Sequence, residues 1–133
     1  MKTLILSLVF FSTLIGCNKN EDVQVPQQVN PIVASWQLTK FEAGFGPTIN
    51  YTNNEIKWTF NQNNTVDVII VSGINVPSNL PLKTTGNFNY TIPTTGVILN
   101  NDQLNYEITG NVMIISDFVG QAADGRKLTF IRL

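Results

Sequence analysis

Ala34-Ser35-Trp36-Gln37-Leu38-Thr39 (residues 34–39) alternates apolar and polar side chains at every position. A period of two is the pattern of a half-buried β-strand, because successive side chains of a strand point to opposite faces of the sheet. Trp36 and Leu38 are therefore predicted to face a core, and Gln37 to lie on the opposite face. This stretch predicts that the domain is built from β-strands.

Seven further segments with strand character follow, which makes eight predicted strands in a chain of 133 residues. They lie at residues 34–39, 55–60, 65–72, 88–92, 97–99, 104–108, 112–116 and 126–133. Two long loops, Ala43–Asn54 and Gly73–Thr85, and several short turns rich in Asn and Gly join them. Strands joined mostly in sequence order predict an all-β fold, a small up-and-down antiparallel barrel. Closure is expected because a last strand that runs to the chain end would otherwise leave an unpaired edge.

The first 16 residues have the layout of a secretory signal peptide, with the basic Lys2 followed by an apolar run from Leu4 to Ile15. The run ends in Leu14-Ile15-Gly16-Cys17, which resembles the lipobox of bacterial lipoproteins. That resemblance implies that Cys17 receives a diacylglyceryl group, that the chain is cut before it, and that the new amine is acylated. Residues 17–31 are polar, contain two prolines and have no strand or helix period, so they are predicted to be a flexible tether.

The tether carries Lys19-Asn20-Glu21-Asp22 shortly after Cys17. This charged run resembles the export signal that directs lipoproteins of the Bacteroidetes group to the cell surface. A solvated linker also carries charges, and both interpretations remain open. The resulting expectation is a cell-envelope, outer-membrane lipoprotein, which lies at the cell surface if the run acts as an export signal.

Residues 32–133 are similar to the lipocalin-like lipoproteins of Bacteroidetes. The resemblance depends on Ala34–Leu38 in the first strand and on Asp124–Phe130 near the end of the chain. It implies a β-barrel and a non-catalytic role in binding a small apolar ligand. Ala34 stands where true lipocalins have a glycine two residues before the tryptophan, and no helix is predicted after the last strand.

Composition excludes several kinds of site. The chain after residue 16 has seven basic residues, the total of eight less Lys2, and nine acidic residues. Its formal net charge is therefore about −2, which offers no basic surface for nucleic acid. Histidine is absent and Cys17 is the single cysteine, which removes the usual general base and leaves no thiolate metal site. The carboxylates at turns are expected to be ordinary surface groups. We therefore predict no enzyme activity, no cofactor and no metal.

An aromatic set shares the phase of the buried faces of the predicted strands. It consists of Trp36, Trp58, Phe60, Phe88, Tyr90, Tyr106 and Phe130. Two interpretations remain open. In the first, Trp58, Phe60, Phe88, Tyr90 and Tyr106 bind a small apolar ligand in a pocket where the two Tyr hydroxyls orient it. In the second, the rings fill the barrel, since eight strands enclose a space that side chains can just fill.

The topology also predicts which residues meet at the barrel ends. In a closed eight-stranded meander the last strand is antiparallel to the first, which brings Arg132 beside Trp36, and the lipocalin resemblance implies the same closing contact. A ligand is then expected to enter at the opposite end, where Ala43–Asn54 and Gly73–Thr85 carry more apolar side chains than solvent-exposed turns need. These are Phe45, Tyr51, Ile74, Val76, Leu80 and Leu82.

Two functions follow from these patterns. The first is a lipid-anchored binding module for a small apolar ligand. The alternative is a filled barrel that acts as an accessory subunit or inhibitor of an envelope protein, with Leu80 and Leu82 on the partner face.

Overall fold

The computed structural model describes residues 29–118 and 125–133, which form an all-β fold. The strands are β1 (Ser35–Ala43), β2 (Ile49–Asn50), β3 (Ile56–Phe60), β4 (Thr65–Ile70), β5 (Gly86–Thr91), β6 (Val97–Leu99), β7 (Asp102–Thr109), β8 (Val112–Ser116) and β9 (Arg126–Arg132). No helix in the described residues is long and apolar enough to cross a membrane.

The sheet closes into a barrel. Apart from the short β2, each strand pairs antiparallel with the next one along the chain, and β9 returns to pair with β1 from Trp36 opposite Arg132 to Ala43 opposite Arg126. The predicted eight-stranded antiparallel barrel is confirmed, with β2 as one extra strand.

Strand β2 lies inside the segment that the sequence predicts to be a loop, so that prediction is wrong at Ile49 and Asn50. The reason lies in β1, which pairs with β3 only over Ser35–Gln37 and then bulges between Leu38 and Lys40. Beyond the bulge β1 has a free edge on the side of β3, and β2 covers it. A strand of two residues is too short to show a period of two.

Asparagine makes several of the turns. Asn54, Asn64, Asn100 and Asn101 adopt positive φ angles of 68°, 62°, 49° and 70°. Asparagine tolerates the left-handed region better than most residues, because its short polar side chain can bond locally. These four asparagines therefore serve turns of the meander.

The barrel has two ends, because consecutive connections of a meander fall on alternate ends. The Trp36 end carries the start of the described chain, Val29–Ala34, and the turns at residues 61–64, 92–96 and 110–111. The loop end carries the connections 44–55, 71–85 and 100–101, together with the described residues Asp117, Phe118 and Gly125. The described chain therefore starts at the end opposite the longest loops.

Candidate functional site

The rings of the barrel interior pack against one another. Trp58 and Phe130 are fully buried, and their ring centroids lie 4.9 Å apart. The centroid of the Phe60 ring lies 6.3 Å from that of Trp58 and 5.1 Å from that of Tyr90, and both contacts are edge-on. Offset and edge-on contacts at these distances are the favourable geometries for aromatic pairs. The candidate ligand-binding residues Trp58 and Phe60 therefore form part of a packed core.

Of the other three candidate ligand-binding residues, one is buried and two lie nearer the barrel surface. Tyr90 is buried and its hydroxyl donates a hydrogen bond of 2.8 Å to the main-chain oxygen of Asn61. Burial raises the pKa of Tyr90 above its usual value, with a smaller contribution from Tyr106. Phe88 and Tyr106 are only half-buried. The structure thus brings Phe60 and Tyr90 together but does not gather all five residues around one enclosed space.

Among the described residues, Trp58 Nε1 is a polar atom of the interior without a hydrogen-bond partner. Trp58 Nε1 is buried and has no hydrogen-bond acceptor among the residues that the structure describes. An unpaired buried N–H group costs about 1–3 kcal/mol. It is a group that a molecule entering the barrel would satisfy.

Arg132 covers Trp36 at the Trp36 end of the barrel. The guanidinium carbon lies 4.7 Å from the centre of the Trp36 ring, and Arg132 Nη2 donates a hydrogen bond of 2.9 Å to the main-chain oxygen of Pro31. Trp36 Nε1 donates a hydrogen bond of 2.8 Å to the main-chain oxygen of Ile32. The contact expected from the topology is present, and it ties the start of the described chain to its last strand.

We expect Arg132→Ala to lower the free energy of unfolding by about 0.5–2 kcal/mol, the range for a cation over an aromatic ring. Arg132→Lys keeps the charge but loses the flat stacking surface, so it should recover only part of the loss. Thermal unfolding measures both, with Lys127→Ala, an exposed position on the same strand, as the control. A melting temperature equal to that of the wild type in Arg132→Ala would show that the contact contributes nothing.

Arg126 joins three connections at the loop end. Its guanidinium donates to both Asp117 carboxylate oxygens at distances from 2.6 to 3.1 Å, to Asp102 Oδ2 at 2.8 Å and to the main-chain oxygen of Asn79 at 3.1 Å. The Arg126 and Asp117 side chains are only 18% and 16% exposed. A forked, partly buried arginine–carboxylate pair is among the stronger polar contacts in proteins. The sequence predicts ordinary surface carboxylates at these turns and gives no sign of the network.

Arg126 and Asp117 hold each other in their ionised forms. Hydrogen bonds from Arg126 lower the pKa of Asp117 below its usual value, against the opposing effect of burial. The same pairing with Asp117 raises the pKa of Arg126. Because the pKa of Asp117 is lower in the folded chain than the unfolded value of about 3.9, the ionised carboxylate stabilises the fold above about pH 4. This stabilisation is lost as the pH falls through the folded pKa.

Asp117→Asn is therefore expected to lose about 1–2 kcal/mol of stability at pH 7, discounted for the partial exposure of the pair. The difference in the free energy of unfolding between Asp117→Asn and the wild type should shrink below pH 4 and vanish in stronger acid. Urea unfolding at a series of pH values measures this, with Asp67→Asn as the control. Asp67 also has a lowered pKa, caused first by a hydrogen bond from Asn87, but it is exposed. A difference between Asp117→Asn and the wild type that stayed constant down to pH 2 would contradict the assignment.

Leu80 and Leu82 were predicted to lie on a partner face, and that prediction is wrong. They are only 2% and 1% exposed and belong to the hydrophobic core. The loop that carries them folds inward over the barrel mouth, where the Asn79 oxygen accepts the bond from Arg126. The two leucines close the loop end and are not available to a partner.

The exposed apolar surface of the loop end is centred on Phe45 instead. Phe45 is 92% exposed, at the tip of the hairpin that joins β1 to β2. It borders an open groove of about 410 Å³ between the two longest loops. The groove is lined by Phe41, Ala43, Phe45, Gly46, Pro47, Ile49, Pro77, Ser78 and Asn79. We call this surface the Phe45 face.

A second open groove lies at the Trp36 end, although a ligand was expected to enter at the other end. Its volume is about 420 Å³, and it lies between the start of the described chain and the end of β5. Its lining residues are Val29, Asn30, Val33, Gln62, Asn64, Tyr90, Thr91 and Ile92. The contact of Arg132 with Trp36 therefore leaves a concave surface at this end.

Residues 29–118 and 125–133 contain no group of three or more acidic, His or Cys side chains that could hold a metal ion. The signal peptide, Cys17 and the Lys19–Asp22 run lie outside the described residues. No protein-family model and no curated protein matches this sequence.

Proposed function

We propose that this protein is a non-catalytic, lipid-anchored lipoprotein of the cell envelope that binds another envelope protein through the Phe45 face. The observation that supports this most strongly is the exposure of Phe45, 92% of whose surface is open to solvent while the rings of the interior pack on one another. Aromatic side chains beside apolar grooves are typical centres of protein interfaces. The barrel would then act as an accessory subunit or an inhibitor.

The Phe45 face is held in place before any partner binds. The main-chain N–H of Gly46 donates to the oxygen of Ala43 at 2.7 Å, which fixes the hairpin tip. The Tyr51 hydroxyl donates to the main-chain oxygen of Asn75 at 3.0 Å and so links the two long loops. A surface that is already ordered loses less conformational entropy on binding.

The position of the tether agrees with this role. The described chain starts at Val29, at the Trp36 end, and only 11 residues, 18–28, lie between Cys17 and Val29. A lipid on Cys17 would hold the Trp36 end nearer the membrane and direct the Phe45 face away from it. The resemblance to lipoproteins of Bacteroidetes supports an outer-membrane position, and the Lys19–Asp22 run supports display at the cell surface.

Crosslinking in intact cell envelopes tests the proposal. The wild-type protein should give one crosslinked band with a partner protein, and Phe45→Ser should reduce that band at least tenfold. Ile69→Ser is the matched control, because Ile69 is an exposed apolar residue on another face of the barrel. Equal bands from wild type and Phe45→Ser, or an equal loss in Ile69→Ser, would contradict the Phe45 face as the binding surface.

Binding of a small apolar ligand is the second candidate function. Two observations favour it: the open grooves of about 420 and 410 Å³, which fall in the range of small-molecule sites, and the unpaired Nε1 of Trp58. The grooves are on the surface and Trp58 is in the core, so a ligand that reached Trp58 would have to open the packed rings.

A further inference from the structure

Exposed apolar side chains are concentrated at the Trp36 end of the barrel. Seven large apolar side chains of the described chain are exposed, and four of them lie at this end. They are Val29, Val112, Ile131 and Leu133. The other three, Phe45, Ile69 and Val71, lie in the half of the barrel nearer the loop end.

Three of these side chains form one surface on the outside of β8 and β9. Val112 lies directly opposite Ile131 in the β8–β9 pair, so the two side chains share a face of the sheet. Side chains alternate between the faces of a strand, and since Phe130 is buried in the core, Ile131 and Leu133 point outward. The main-chain N–H of Leu133 donates to the Ser35 oxygen at 3.0 Å, which holds Leu133 against β1. We call Val112, Ile131 and Leu133 the apolar rim.

The charge at this end has a single sign among the side chains that the structure describes. One charged side chain, that of Arg132, lies among residues 29–37, 60–66, 88–97, 108–113 and 130–133. The nearest carboxylates, Asp67 and Glu107, lie two residues in from the ends of β4 and β7. Arg132 is exposed, and the one hydrogen bond that its guanidinium donates to the described residues goes to the Pro31 oxygen. Further N–H donors of the guanidinium therefore remain for a phosphate group.

The length of the tether determines what this surface meets. Under the proposed function a lipid on Cys17 lies in the membrane, and 11 residues lie between Cys17 and Val29. A chain extends by at most about 3.6 Å per residue, so Val29 stays within about 40 Å of the lipid. A flexible tether of this length averages about 20 Å. The tether therefore keeps the local concentration of the lipid surface high at the Trp36 end, and a contact too weak to recruit a free protein is populated.

We propose that the apolar rim lies on the lipid surface, with its three side chains at the boundary between headgroups and acyl chains and with Arg132 beside lipid phosphates. Binding at a membrane surface grows with the apolar area buried and with the attraction between basic side chains and anionic lipids. The proposal rests on the lipid anchor of the proposed function and deepens it, because the contact fixes an orientation. The outer faces of β8 and β9 turn toward the membrane, and the Phe45 face is held away from it.

Nanodiscs of phosphatidylethanolamine and phosphatidylglycerol test this contact. The mature chain, residues 17–133, is coupled through its single cysteine to a lipid with a maleimide headgroup, and a second lipid carries gadolinium at its headgroup. The gadolinium should broaden the amide signals of residues 111–113 and 131–133 at least threefold more than the signals of the groove beside Val29. The groove signals are those of Gln62, Asn64, Thr91 and Ile92. Equal broadening of the two sets would mean that the tether alone positions the barrel, and would overturn the proposal.

A double variant separates the contact from the tether. Val112→Ser combined with Ile131→Ser removes apolar surface and keeps the tether, so it should reduce the broadening at residues 111–113 and 131–133 at least threefold. Ile69→Ser, which changes an exposed apolar residue on another face, should behave as the wild type does. Unchanged broadening in the double variant, or an equal loss in Ile69→Ser, would contradict the contact. If the double variant does not fold, the two sets of signals in the wild type still decide.

A concentration series of the same chain without lipid distinguishes the lipid surface from a second copy of the protein. The amide signals of residues 111–113 and 131–133 should not move with protein concentration. Shifts confined to these residues would show that the apolar rim binds a second copy and would overturn the proposal. Because the maleimide replaces acylation by the cell, an unmodified Cys17 in the natural protein would refute the lipid anchor of the proposed function without changing the result in nanodiscs.

Discussion

Trp58→Ala is expected to lower the free energy of unfolding by about 3–5 kcal/mol, as large-to-small changes of buried aromatic residues do. Trp58 is fully buried, and its ring lies 4.9 Å from Phe130 and 6.3 Å from Phe60. Removal of the indole would leave a cavity in the middle of the barrel that neither neighbour can fill without leaving its own contacts. Since small domains are stable by about 5–15 kcal/mol, much of the total would be lost.

Urea unfolding measures this loss, and two variants control it. Trp58→Phe keeps a ring in place and should cost clearly less than Trp58→Ala. Phe45→Ala removes an exposed ring, and substitutions of exposed residues usually change the free energy of unfolding by no more than about 0.5 kcal/mol. A loss below about 1 kcal/mol in Trp58→Ala would mean that Trp58 lines an open space, and would favour the ligand pocket over the filled barrel.

Cys17→Ala is expected to move the protein completely from the membrane fraction to the soluble fraction. The lipid chains are attached through Cys17 if Leu14-Ile15-Gly16-Cys17 acts as a lipobox, as its resemblance to that motif implies. Each buried methylene of an acyl chain contributes about 0.8 kcal/mol to membrane binding, so loss of all chains removes the anchor. Cell fractionation and incorporation of labelled palmitate measure the change.

Ser12→Ala, within the apolar run, is the control for Cys17→Ala and should remain in the membrane and keep the label. Membrane retention of Cys17→Ala, or absence of palmitate from the wild type, would contradict the lipoprotein proposal. Neither result would bear on the filled barrel, which depends only on the described residues.

The period of two made most of the fold predictable from the sequence. Alternation marks a strand with one buried face, and Trp58 and Tyr90 were placed on the correct faces because their strands alternate regularly. Trp36 was placed correctly as well, because it precedes the bulge in β1. Closure and the contact of Arg132 with Trp36 followed from the order of the strands. Phe88 and Tyr106 also have the correct phase, but they are only half-buried. For Phe88 the reason is that the short β6 pairs only with Tyr90 and Thr91 of β5. The periodicity of a strand does not show whether the strand has a neighbour.

The site was less predictable, because it depends on how the loops fold. Leu80 and Phe45 are both large apolar residues in long loops, yet one fills the core and the other is exposed, and no local pattern distinguishes them. The Arg126 network joins residues up to 47 positions apart, which only the closed barrel brings together. Nothing in the sequence shows that Arg126 is partly buried, and its acidic partners resemble ordinary turn residues, so no local pattern predicts the network.

We propose that the barrel interior is filled, so that the protein functions through its surface. The most direct test follows the two indole N–H signals in a proton–nitrogen NMR spectrum, assigned with Trp36→Phe, during titration with fatty acids, porphyrins and small aromatic compounds. We predict that the Trp58 signal does not move with any of them, because Trp58 Nε1 lies among packed rings. A saturable movement of the Trp58 signal would show that a ligand reaches the interior and would contradict the claim.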